Sequence, residues 1–183
     1  MKLDPIYQAI ENRNNPDEIE NKGPIKGIKN TWLGEGYYFW DGFVECAHWW
    51  GKHHWNNDYM ICKAYIEEED DKYLDLYGNT EHMKYFSSLL DKIKEYFPNE
   101  KITISQAIAF LREKSSEFKK YTLIRAESPN CGNNIPTNSF KYTTKNSSRL
   151  NLCRMIQICS FDKKNVHDYK VIFPQEYNEE WII

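Results

Sequence analysis

The sequence lacks any long apolar run. No stretch of its 183 residues approaches the roughly 20 consecutive apolar residues that a membrane-spanning helix requires. The segment Met1 to Pro5 also lacks the apolar core of a secretory signal, so we expect a cytoplasmic protein without a membrane partner.

The chain also has little net charge and few of the usual cofactor motifs. Its 24 basic and 27 acidic residues leave a net charge of −3, which is not the electrostatic pattern of a duplex-binding protein. There is no Gly-x-x-x-x-Gly-Lys phosphate loop. The five cysteines are odd in number and form no C-x-x-C pair, which predicts thiols in a reducing compartment.

Four metal-ligating residue types lie close together, but their spacing is poor for a metal site. Cys46 and His48 stand two positions apart in a predicted helix, where such side chains point away from each other. His53 and His54 follow a glycine and a lysine and are typical of a solvated segment. The sequence therefore predicts no metal site.

Aromatic residues, by contrast, are abundant. They make up 15% of the chain, with 13 tyrosines and 6 tryptophans. An aromatic ring with a polar tip suits the rim of a pocket as well as a core, so composition alone leaves both uses open. The length suits a single domain spanning 1–183.

Hydrophobic periodicity and the positions of capping and turn residues predict an α+β fold. Strands are expected near 3–9, 36–40, 59–66, 121–126, 155–161 and 169–173, and a helix capped by Asp41 near 41–51. Two further helices, at about 79–97 and 103–118, read as a helical insertion. Strands and helices do not alternate regularly, which argues against a doubly wound sheet. Residues 128–151 are predicted to form a long loop.

The stretch Leu33-Gly34-Glu35-Gly36-Tyr37-Tyr38-Phe39-Trp40, followed by Ala47-His48-Trp49-Trp50, carries a resemblance. It is similar to the Gly-x-Gly-apolar-Tyr-Phe and Ala-x-x-Tyr/Trp pattern of ADP-ribosyltransferases of the diphtheria-toxin and poly-ADP-ribose polymerase branch. It also resembles prokaryotic toxin-like domains of that fold. The resemblance implies a split β-sheet core and NAD as cofactor.

By this resemblance, Tyr38 on a strand and Trp50 on the following helix would hold the flat cationic nicotinamide ring of NAD between them. Such cation–π contacts contribute about 1–2 kcal/mol when desolvated. Gly34 and Gly36 would let the backbone approach the cofactor closely.

Two weaker matches lie at either end of the chain. In Ile6-Tyr7-Gln8-Ala9, Gln8 takes the place of a polar residue that contacts the cofactor in the family. In Met155-Ile156-Gln157-Ile158-Cys159, Gln157 takes the place of the family's glutamate, which holds the ribose and stabilises the transition state. A neutral amide cannot offset developing positive charge. Gln157 and Tyr38 are the catalytic candidates. The spare carboxylates, which could supply the negative charge that Gln157 lacks, are Glu35, Asp41 and Glu127.

The resemblance implies an NAD-dependent ADP-ribosyltransferase-like protein, of the class of bacterial toxins or defence effectors. It would transfer ADP-ribose to a macromolecule that enters over the 128–151 loop, and an antitoxin protein would be its partner. Two alternatives stay open: a module of the same fold that binds NAD or a nucleotide without transfer, and an interaction protein with an aromatic core and no pocket. Arg125 and Arg154 are interpreted either as pyrophosphate contacts or, more simply, as surface arginines.

Overall fold

A computed structural model describes residues 4–27, 31–67, 69–128, 139–141, 149–151 and 153–177. The strands in these residues are β1 (Ile6–Glu11), β2 (Tyr37–Asp41), β3 (Tyr59–Ile66), β4 (Tyr73–Asp75), β5 (Leu123–Glu127), β6 (Ser139–Lys141), β7 (Arg149–Asn151), β8 (Ile156–Ser160) and β9 (Val166–Phe173). The helices are α1 (Pro16–Lys22), α2 (Val44–Trp55), α3 (Thr80–Tyr96), α4 (Ile104–Lys114) and α5 (Ser116–Lys119). The α+β class expected from the sequence is confirmed.

Seven of the strands form one sheet in the order β4-β5-β8-β2-β1-β3-β9, and β6 pairs with β7 separately. Within the seven-stranded sheet β4 and β5 are parallel, and the other neighbours are antiparallel. The strands that carry the three sequence matches, β8, β2 and β1, are therefore consecutive in the sheet. They come from distant parts of the chain, and only the pairing brings them together.

The sheet is only partly joined between β1 and β2. These strands pair at two positions, Ile6 with Asp41 and Tyr7 with Trp40. β1 pairs with β3 over all six of its residues, and β2 pairs with β8 at four positions. Past the Tyr7–Trp40 pair, Gln8 on β1 and Phe39 on β2 line an open cavity. The site thus forms where two neighbouring strands stop sharing hydrogen bonds.

Consecutive residues of β2 serve different apolar clusters, as strand alternation requires. Phe39 packs in the central cluster with Ile6 and Ile158. Trp40 packs with Ala47 of α2, and Tyr38 contacts the cluster formed with α3, α4 and α5. Helix α2 therefore packs against the sheet next to the split, by which we mean the place where β1 and β2 stop pairing.

The local signals of the helical insertion are largely confirmed. The side chain of Asn79 accepts hydrogen bonds from the first turn of α3, and Thr103 with Gln106 forms the expected capping box on α4. All three helices lie between β4 and β5. The second helix ends at Lys114 rather than at 118, because Ser115 caps the new short helix α5 by accepting from Phe118 N.

The predicted cap of α2 is wrong. Phe43 occupies the N-cap position, with no side-chain cap hydrogen bond, and Asp41 belongs to β2. The Asp41 carboxylate instead pairs with Arg125, which also pairs with Asp75 on β4. A partly buried cation attracts a carboxylate more strongly than exposed helix N–H groups do. Strands β4, β6 and β7 were not expected from the sequence, and β6 and β7 pair within the segment 128–151 that was predicted to be a loop. None of the described helices is both long and apolar enough to cross a membrane.

Candidate functional site

A cavity of about 1200 Å³ opens at the split in the sheet. Ligand pockets in proteins are commonly about 300–1,000 Å³, so a dinucleotide-sized molecule would fit. Its floor comes from β1, β2 and Gln157 of β8, and one rim comes from α1 and the segment that follows it. Its aromatic lining consists of Trp32, Tyr38, Phe39, Trp40, Trp49, Trp50, His53, His54 and Trp55.

The C-terminal half of α2 supplies most of the aromatic wall. The Trp50 ring stacks on His54 at 3.7 Å between centroids and lies 6.1 Å from Trp40. Trp49 lies beside His53 one position earlier, at 4.7 Å. In each pair the two residues are four positions apart in the sequence, so the two rings lie on the same face of the helix. Trp50 is half-buried and lines the cavity, and its contact with a ligand stays a prediction.

Tyr38 lines the same cavity and is anchored by its hydroxyl group. That hydroxyl accepts a hydrogen bond from Leu33 N and donates one to Gly34 O, both at 2.8 Å. Burial raises its pKa above the ordinary value, so the hydroxyl stays neutral. Tyr38 and Trp50 therefore reach one cavity from a strand and from a helix. Their stacking on nicotinamide stays a prediction.

The two glycines of the motif have a packing role. Gly34 adopts φ +95°, a conformation that side-chain-bearing residues rarely adopt. A Cβ at Gly36 would lie 2.6 Å from Ser160 O, so this position must be glycine for the loop to lie against β8. Neither glycine is among the described residues that line the cavity. Their direct contact with a cofactor stays a prediction.

Gln8 is buried, 6% exposed, and its amide is fully used by the protein. Its Nε2 donates to Ile25 O at 2.8 Å and to Tyr38 O at 3.1 Å. Its Oε1 accepts from Ile25 N at 2.9 Å and from the Tyr169 hydroxyl at 2.7 Å. An amide has two donor hydrogens and two acceptor lone pairs, and here all four are engaged. Gln8 therefore links β1 to the backbone of β2 and to the segment that follows α1. Cofactor binding by its side chain stays a prediction.

Gln157 is equally buried, 7% exposed, but its amide is only half used. Its Oε1 accepts a hydrogen bond from Trp32 Nε1 at 2.7 Å. Within the part of the chain that the structure describes, its Nε2 has no partner, and the residue lines the cavity. The amide nitrogen is thus available to a ligand, which is consistent with the predicted ribose-orienting role.

The spare carboxylates considered from the sequence lie elsewhere. Asp41 pairs with Arg125, Glu35 pairs with Lys26 at 3.3 Å, and Glu127 pairs with Arg154 at 3.3 Å. None of the three carboxylates lines the cavity. The carboxylates that do line it among the described residues are Glu11 and Glu18. Both are exposed and each is paired with a cation, so no unpaired carboxylate of the described residues lines the cavity near Gln157.

Arg154 is a surface arginine, the simpler of the two interpretations, whereas Arg125 is partly buried in an ion-pair network and fits neither interpretation. Arg125 is engaged by two carboxylates, Arg154 is exposed and paired, and neither lines the cavity. The cations that do line it come from the α1 side of the cavity, namely Arg13, Lys22 and Lys26. They are exposed, and each has a carboxylate partner.

The metal-ligating side chains near α2 have other uses. His53 and His54 contact the carbonyl oxygens of Trp49 and Trp50 through their Nδ1 atoms, and His48 contacts the Tyr59 hydroxyl. Burial lowers the pKa of His48. Among the residues with described positions, no three His, Cys, Asp or Glu side chains come together as metal ligands.

Sequence reasoning missed four tryptophans that line the cavity, namely Trp32, Trp40, Trp49 and Trp55. Trp32, which holds Gln157, precedes the motif and belongs to no regular element. Trp40 was interpreted only as part of an aromatic strand. It pairs with Gln157 between β2 and β8, and both residues line the cavity. Ser128 also lines the cavity at the start of the predicted loop. Residues 129–138 and 142–148 of that loop lie outside the described residues, and so does an acceptor path over them.

Comparison with known proteins gave no match to a family model, a curated protein or a solved structure.

Proposed function

We propose that this protein binds NAD in the cavity at the split sheet and is ADP-ribosyltransferase-like, transferring ADP-ribose to a macromolecule. One observation carries the proposal: Tyr38, Trp50 and Gln157, singled out from three separate segments, line a single cavity of dinucleotide size. Gln8, the remaining polar position, closes the floor of that cavity.

The arrangement supports a definite binding mode. The nicotinamide ring lies between Tyr38 and Trp50, where desolvated aromatic faces attract a cationic ring. The Gln157 amide donates to a ribose oxygen. The pyrophosphate points toward the exposed cations Arg13, Lys22 and Lys26, which attract it through partly screened charge.

A second candidate, an NAD- or nucleotide-binding module without transfer, is favoured by the charge of the inner cavity. Loss of nicotinamide from NAD leaves positive charge on the ribose, and a nearby carboxylate stabilises such a transition state. Gln157 is neutral there, and the described carboxylates that line the cavity, Glu11 and Glu18, are exposed and ion-paired. Binding without cleavage follows if no further acid reaches the ribose.

The first test measures binding. NAD at about a hundred times its Kd should stabilise the folded protein by about 2.7 kcal/mol, which is visible as a rise in Tm. Trp50→Ala should weaken NAD affinity about tenfold, the equivalent of the 1–2 kcal/mol expected from one stacking face. The matched control is Tyr96→Ala, because Tyr96 is 76% exposed on α3 and does not line the cavity. No stabilisation by NAD would contradict the proposal.

The second test separates the two candidates. The protein is incubated with NAD labelled on the adenosine side and with bacterial lysate, and free nicotinamide and labelled macromolecules are measured. Release of nicotinamide with labelling of a macromolecule identifies the transferase. Binding with no release identifies the module. The acceptor, an antitoxin partner, a toxin or defence role and a cytoplasmic location stay predictions from the sequence.

A further inference from the structure

The contact between Trp32 and Gln157 determines which way the Gln157 amide points. Trp32 Nε1 lies 2.7 Å from Gln157 Oε1. An indole N–H is a donor only, so the atom that faces it must be the amide oxygen. The two ends of a glutamine amide are otherwise hard to tell apart, and here the chemistry of the partner assigns them.

The consequence is that the NH2 end of Gln157 is directed away from Trp32. Among the described residues it has no hydrogen-bond partner, although Gln157 is 7% exposed and lines the cavity. The NH2 group is not fully buried, so it meets the open space of the cavity, where a ligand oxygen can accept its hydrogen bond. The neighbour across the strand pair, Trp40, offers only another indole N–H and no acceptor at its side chain.

We propose that Trp32 is a specificity-determining residue, which holds the Gln157 amide so that the cavity selects a ligand with a hydrogen-bond acceptor oxygen at this point. The ligand class is a molecule that combines an aromatic ring with an adjacent hydroxyl, carbonyl or phosphate oxygen. The identity of NAD as that ligand rests on the proposed function. A carboxylate in place of the amide would present acceptors instead and would select hydroxyl donors.

Trp32 acts through Gln157, so the two side chains should not contribute independently. Trp32→Phe keeps an aromatic ring and removes the donor, which frees the amide to turn its oxygen toward the ligand. Gln157→Met removes the NH2 group and keeps the chain length. Each change should weaken NAD binding about tenfold, and the double variant should lose little more than either single variant. A merely structural role for Trp32 would make the two losses add.

The experiment combines calorimetric titration with NAD and ¹H–¹⁵N spectra of the side-chain amide and indole groups. Tyr96→Phe is the control, because Tyr96 is exposed on α3 and does not line the cavity. In the wild type, NAD should shift the Gln157 NH2 signals. In Gln157→Met without ligand, the Trp32 indole signal should move.

Each outcome decides. An unmoved Trp32 indole signal in Gln157→Met overturns the inference whether or not NAD binds. NAD binding by Trp32→Phe that equals binding by the control Tyr96→Phe, or losses that add in the double variant, overturns the inference and leaves the proposed function standing. If neither NAD nor ADP-ribose binds the wild type, the proposed function and the inference fall together. If Trp32→Phe does not fold, Gln157→Met with its two readouts still decides.

Discussion

Gln8 and Gln157 are glutamines of nearly equal burial, 6% and 7% exposed, that line the same cavity from β1 and β8. Among the described residues, the side chain of Gln8 makes four hydrogen bonds and the side chain of Gln157 makes one. Burial alone therefore does not identify a binding residue. A saturated amide stabilises the fold, and an amide with an unused donor is available to a ligand.

The largest expected effect separates the two residues by stability. Gln8→Leu removes the partners of Ile25 N, Ile25 O, Tyr38 O and the Tyr169 hydroxyl, and each stranded group costs about 1–3 kcal/mol unless water reaches it. We expect a loss of about 3 kcal/mol or more for Gln8→Leu and about 1 kcal/mol for Gln157→Leu. Urea unfolding at pH 7 measures both. Equal losses would mean that the count of bonds does not distinguish the two glutamines.

The next effect depends on what each glutamine is bonded to. Tyr169, the partner of Gln8, is buried, and burial raises its pKa well above the ordinary value. Burial likewise raises the pKa of nearby Cys62 to about 12. Their neutral forms are favoured in the folded state, so this stability is fully present below the ordinary values and is lost as pH rises above them. Trp32, the partner of Gln157, does not titrate in this range.

We therefore expect the free energy of unfolding to fall from about pH 9 upward, by as much as about 1.4 kcal/mol per pH unit for each such group. Tyr169→Phe should make the decline shallower because one titrating group is gone. Urea midpoints at pH 8 and pH 10.5 check this, with Trp32→Phe as the control whose slope should match the wild type. If Tyr169→Phe shows the same decline of stability with pH as the wild type, the raised pKa of Tyr169 is not a cause of that decline.

The smallest effect concerns Tyr38, whose carbonyl accepts from Gln8 and whose ring faces the cavity. Tyr38→Phe removes the hydroxyl bonds to Leu33 and Gly34, which should cost about 1 kcal/mol of stability. NAD affinity should change less than about twofold, since the stacking ring remains. Thermal unfolding and calorimetry measure the two quantities. A large loss of affinity with unchanged stability would show instead that the hydroxyl contacts the ligand.

Much of the local structure could be predicted because its causes are local. The cap at Asn79, the capping box of Thr103 and the apolar periodicity of α3 depend on residues a few positions apart. Asp41 shows the limit of such reasoning. It has the chemistry of a helix cap, but Arg125, 84 positions away, captures its carboxylate.

The site was predicted in part for the same reason. The motif spacing identified Tyr38 and Trp50, which lie on a strand and on the helix that follows it. Trp32 carried no signal, because a tryptophan in an irregular segment has no period to read. Its role depends on Gln157, which stands 125 positions later in the chain.

The amino-acid sequence by itself determined most of the longer strands and helices, and it placed an aromatic strand before an aromatic helix, because those properties follow from neighbouring residues. Only the tertiary structure decided that β1, β2 and β8 lie side by side and that the sheet opens between two of them. It also decided which buried glutamine is saturated. The partners that decide this stand 17 to 161 positions from Gln8, at distances along the chain that no local pattern encodes.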